Sequence, residues 1–170
     1  MGETSFQPGE IIVALERHRV RYIIIGGLAA TLHGSPVMTT DADICPSREG
    51  DNLERLARAL VELRARIRTP GVPEGLVFAC DATFLSWIDV ALNLMTRFGD
   101  LDLSFVPSGT TGFEDLRSHA VTMSVMSCPV LPQRPQNAIA GGLSKAHCGQ
   151  VTPRAPSTPL SPAPVRTACP

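Results

Sequence analysis

"RYIIIGGLAATLHGSPVMTTDADI" spans Arg21 to Ile44. Tyr22 to Ile25 is short, β-branched and free of polar breaks, so it suits a strand buried on both faces. Gly26 and Gly27 follow it directly. "LAATLHG" reads as a two-turn helix stopping at Gly34, Ser35-Pro36 as a turn, and "TTDADICP" as a second strand ending near Pro46. In a strand, residues i and i+2 share a face about 6.5 Å apart. Asp41 and Asp43 therefore point one way, while Ala42 and Ile44 point into a core. Aspartate is a poor strand former, and two close carboxylates repel unless a cation lies between them. Hard oxygen ligands of this kind suit magnesium.

Working outward, "PGEIIVALERHRV" has the apolar spacing of an amphipathic helix. "SREGDNLERLARALVELRARI" reads as a long helix capped by Ser47, with Leu53, Leu56, Leu60, Leu63 and Ile67 in one stripe. "TPGVPEG" reads as a loop. "WIDVALNLMT" and "LDLSFVP" alternate as strands, joined by a hairpin turn at "RFGD". "GFEDLRSHA" reads as a short helix and "VTMSVMSCPVL" as one more strand. The expected fold is α/β: a small mixed β-sheet with flanking helices.

In "GDLDLSFV", Asp100 and Asp102 alternate with Leu101 and Leu103. If that strand lies beside the Asp41 strand, Asp102 adds a third carboxylate to the same face, while Asp100 belongs to the turn. Three carboxylates can hold two magnesium ions about 4 Å apart, which suits in-line displacement at phosphorus. The glycine pair lets a phosphate approach the backbone; alone, it reads more readily as a tight strand-to-helix turn with no ligand. "GGLAAT" lacks the third glycine of a dinucleotide fingerprint, and no Gly-Lys-Ser/Thr follows.

Taken in order, Gly26, Gly27, Ala29, His33, Gly34, Thr40, Asp41, Asp43 and Ile44, then Gly99 to Leu103, make a pattern. It resembles that of the DNA-polymerase-β-like nucleotidyltransferases, and more closely the minimal nucleotidyltransferases of the AbiEii toxin–antitoxin type. The likeness covers roughly residues 8 to 131. It implies that Gly26, Gly27 and Thr40 contact the nucleotide. It also implies that Asp41, Asp43 and Asp102 are the catalytic, metal-ligating set for Mg2+ or Mn2+. The implied reaction moves a nucleoside monophosphate from a nucleoside triphosphate to a hydroxyl of RNA or protein, and the implied protein partner is a cognate toxin or antitoxin. Val37 stands where many members carry an arginine, and the chain after Leu131 departs from their helical continuation. Those departures favour the alternative of a non-catalytic binding module on the same fold.

Composition bounds the rest. The 170 residues are 44% hydrophobic with a net charge of -1, so a core can form and no bias toward nucleic acid or membrane shows. The five cysteines lack metal or redox spacing, and reduced thiols in a cytoplasmic protein are expected. No secretory leader or bilayer span is expected. His33 reads as a packed or capping residue, and Arg55, Arg58, Arg64, Arg66 and Arg68 as a solvated face, of which Arg64, Arg66 and Arg68 could meet RNA phosphates. Nine of the fifteen prolines lie from Pro129 onward, and no acidic residue follows Asp115. Residues 1–131 therefore read as one domain and 132–170 as a Pro-rich disordered tail.

Overall fold

A computed structural model describes residues 5–125, 149–151 and 163–167. Helix α1 (Pro8–Arg17) leads into strand β1 (Tyr22–Ile25), helix α2 (Gly26–Leu32) and strand β2 (Asp41–Pro46). Helix α3 (Gly50–Glu62) follows, then the hairpin β3 (Arg66–Thr69) and β4 (Val72–Leu76). A short helix α4 (Ala82–Ser86) precedes the hairpin β5 (Ala91–Thr96) and β6 (Gly99–Ser104). Helix α5 (Phe113–Ser118), β7 (Val121–Val125), β8 (Gly149–Val151) and β9 (Ala163–Thr167) complete the described elements. The chain is thus mixed α/β, with helices flanking a mixed sheet.

The sheet runs β4-β3-β5-β6-β2-β1, extended by β9 and β7, with β8 also on β1. β2 pairs antiparallel with β1 and parallel with β6, and the β3–β4 and β5–β6 hairpins are antiparallel. One face carries Ala42, Ile44, Leu92, Leu94, Leu101 and Leu103, all buried against α1 and α3. Leu53, Leu56, Leu60 and Leu63 supply the α3 side of that core, as their helical spacing demands. On the opposite face α5 covers only one end, where Phe113 and Leu116 pack on Ile23 and Cys45. The Asp41 end of that face stays uncovered among the described residues.

Several expectations change. Helix α3 stops at Glu62, its C-cap is Leu63, and Arg64 takes φ +55°. Ile67 consequently belongs to β3. Ser47 is buried ahead of α3 and is not its cap; the N-cap is Glu49, with no side-chain cap bond. The docking of α3 comes instead from buried Asn52. Its Oδ1 accepts from Arg21 N at 2.7 Å, and its Nδ2 donates to Ser47 O at 2.8 Å and Arg21 O at 3.0 Å. "TPGVPEG" is the bend and second strand of a hairpin; Pro73 is tolerated because β4 is an edge strand. Nothing in the sequence announces helix α4, since five residues show no usable period. Within the C-terminal stretch read as mostly disordered, residues 149–151 and 163–167 are described, as strands paired to β1. The rest of 126–170 lies outside the described residues, as do the strand expectation beyond Val125 and Cys128, Cys148, Cys169 and His147.

Candidate metal centre

The parallel register of β2 and β6 sets Asp41 opposite Asp100 and Asp43 opposite Asp102. Alternation alone puts these carboxylates on the uncovered face, because the intervening Ala42, Ile44, Leu101 and Leu103 fill the core. One oxygen each from Asp41, Asp43 and Asp102 lies within 4.8 Å of the others, and all three side chains are half-buried. Three hard anionic oxygens gathered in this way could hold a metal ion. Asp100 falls outside that set.

The glycine pair acts on the carboxylates directly. Gly26 has φ +64°, and a Cβ there would sit 2.2 Å from Asp43 Oδ2. A Cβ on Gly27 would sit 2.8 Å from Thr39 Oγ1. Both glycines therefore let the start of α2 press against β2 and the turn before it. Thr39 Oγ1 donates to Asp41 Oδ1 at 2.7 Å and orients that carboxylate. Thr40, the expected nucleotide contact, is exposed in the bend just before β2; Thr39 is the threonine that touches the acid set.

Electrostatics mark the cluster as strained. Burial, reinforced by the neighbouring Asp41 and Asp102 charges, pushes the Asp43 carboxyl up to about 6. Burial also raises Asp102, against the lowering pull of Arg68. Like charges in a partly dry site favour the protonated form or a bound cation.

The sequence does not mark Arg68 as a site residue. It reads there as part of a solvated helix face, but it lies on β3 and reaches across β5. Its Nη2 donates to Asp102 Oδ1 at 2.8 Å and Oδ2 at 2.7 Å, and its Nη1 to Asp100 Oδ2. The missing signal is the strand assignment itself. Once β3 is a strand paired to β5, Arg68 lies on the acid face. Of the other arginines, Arg55 and Arg58 pair with Asp51 and Glu54 along α3, and Arg66 Nη1 donates to Glu74 O.

Other chemistry is weakly equipped. Burial holds the Cys45 thiol up at about 12 and Cys80 at about 11, far from a thiolate nucleophile. His18 Nε2 lies 2.7 Å from Glu62 Oε2 in a half-buried hydrogen bond, and His33 is the exposed C-cap residue of α2. Among the described residues, no helix is long and apolar enough to cross a membrane. No family model, curated protein or solved structure matches the chain.

Proposed function

We propose that this chain is a metal-dependent nucleotidyltransferase of the minimal, DNA-polymerase-β-like kind. One observation carries the reading: Asp41, Asp43 and Asp102, from two neighbouring strands, bring carboxylate oxygens within 4.8 Å of one another. Those residues would hold Mg2+ or Mn2+, which supplies charge neutralisation at the phosphates and a lower barrier to hydroxyl attack. The protein's own part is placement. Thr39 fixes Asp41, and Gly26 and Gly27 admit Asp43 and Thr39 against the start of α2. In the reaction, an acceptor hydroxyl oxygen bonds to the α-phosphorus while the bond to the bridging oxygen breaks. Pyrophosphate leaves, and the hydroxyl proton passes to a site carboxylate, with Asp102 in that role, or to water. The hydroxyl of an RNA or protein, and a cognate toxin or antitoxin partner, rest on the sequence resemblance.

A second reading, a non-catalytic module of the same fold, draws on one contact: Arg68 engages both oxygens of Asp102. The two readings separate in one experiment. The purified chain is titrated with Mn2+, then incubated with α-labelled triphosphates and cell RNA and protein. We expect weak Mn2+ binding, slow metal-dependent transfer of label, and loss of both in Asp41→Asn/Asp43→Asn. Transfer should fall on the order of 10²–10³-fold, the scale of one lost electrostatic stabiliser of charge. Mn2+ binding without any transfer supports the module. Equal Mn2+ affinity in wild type and the double variant rejects both.

A further inference from the structure

Arg68 and Asp100 form a pair that the carboxylate triad does not explain. Asp100 lies outside the metal set yet pairs with the same guanidinium that engages Asp102. The arginine comes from β3 and crosses β5 at Asn93, the exposed β5 residue registered with Asp102. Its side chain is 34% exposed, whereas that of Asp102 is 18% exposed, so the guanidinium lies on the open side of Asp102. Four carboxylates and one guanidinium leave this patch at about -3 when all are ionised, by the count of Asp41, Asp43, Asp100 and Asp102 against Arg68. A polyphosphate is repelled by such a patch until divalent cations reverse its sign. A divalent cation on Asp102 in turn repels the guanidinium held there. Val37, at the position where the resemblance expects an arginine, is 66% exposed and brings no charge.

We propose that Arg68 is the phosphate-contacting cation of this site, anchored by Asp100 and held by Asp102 until metal binding frees its Nη2 edge for the phosphate chain. The inference rests on the metal-site reading above and deepens it. The planar fork of arginine fits phosphate oxygens as it fits the carboxylate it leaves. The anchor at Asp100 keeps the freed group within the site, so the ordering cost of binding is partly met in advance. Arg68 thus both competes with the metal and recruits the triphosphate, and its removal shifts the two affinities in opposite directions. A purely structural brace would weaken both.

The test uses the full chain, Mn2+ alone, and then tripolyphosphate in saturating Mn2+, both by calorimetry. Arg68→Gln should bind Mn2+ about tenfold more tightly and tripolyphosphate about tenfold more weakly, the scale of one charge-assisted contact. Arg68→Lys keeps the charge and loses the fork, so it should shift both affinities the same way by less. It also carries the test if the glutamine variant fails to fold. Weaker Mn2+ binding in both variants, or unchanged tripolyphosphate affinity, overturns the proposal. If Asp41→Asn/Asp43→Asn retains full Mn2+ affinity, the metal reading falls and the handover with it. If that variant loses Mn2+ while Arg68→Gln behaves as wild type, the handover alone falls.

Discussion

The middle of the sheet and its β3–β4 edge are built on different rules. β2 and β6 alternate strictly, with Ile44, Leu101 and Leu103 at 0–1% exposure and aspartates between them. The β3–β4 hairpin carries Pro73, Gly71 and Gly75, leaves Leu76 and the following Val77 exposed, and shifts register between Ile67 and Thr69. The centre binds its side chains to the core, so its chemistry is fixed by packing. The edge is more exposed, yet it delivers Arg68 to the centre. The site therefore joins a rigid acid set to a cation from the less constrained part of the sheet, and that contrast can be attacked from both sides.

The largest effect is expected at the closest approach. Gly26→Ala combines a positive φ with a Cβ 2.2 Å from Asp43 Oδ2. It should cost roughly 2–5 kcal/mol in denaturant unfolding, from the left-handed strain and overpacking together. Gly50→Ala, at the start of α3 with open space around it, should stay within about 0.5 kcal/mol. Equal costs would mean that the turn does not press on β2.

Next comes the core contrast. Leu103→Ala, at a fully buried central position, should lose about 2–5 kcal/mol. Leu76→Ala, 46% exposed on the edge strand, should lose under about 1 kcal/mol. A large loss at Leu76 would show that the edge is held by packing as firmly as the centre.

A smaller effect is expected on cutting the chain after residue 131. The leucine- and isoleucine-rich core between Ile11 and Leu116 stays on the retained side, and the cut removes strand pairing to β1 and β7. The melting temperature should fall by only a few degrees, the equivalent of roughly 1 kcal/mol at this size. A collapse of the transition would place β8 and β9 with the centre of the fold.

The smallest effect is the pH response of the metal-free protein. The folded Asp43 carboxyl titrates at about 6 against 3.8 for a free aspartate, so folding favours its protonated form. Its contribution to stability is full below about 3.8 and is lost as pH rises through about 6. Wild type should therefore lose stability relative to Asp43→Asn between about pH 4 and 7, and Mn2+ at about pH 7 should restore it. Parallel pH profiles for the two proteins would remove Asp43 from the strained set.

The sequence by itself determined the centre. Strand β1, the alternation in β2 and β6, the hairpin at Arg97-Phe98 and the leucine stripe of α3 were legible, because each is a local period that burial enforces. Asp41 and Asp43 were legible as one face for the same reason, whereas Asp102 joins them because β6 pairs with β2. Tertiary structure decided what had no local period. It turned a proline- and glycine-bearing loop into an edge strand, moved Ile67 out of α3, and used Asn52 where Ser47 was the expected cap. It also explained the glycines by contact, since nothing in "IGGL" says that Asp43 lies against Gly26. Above all it put Arg68 on Asp100 and Asp102, residues more than thirty positions apart in sequence. Pairing across strands sets that contact, and strand order is a property of the packed sheet that no short stretch of sequence encodes.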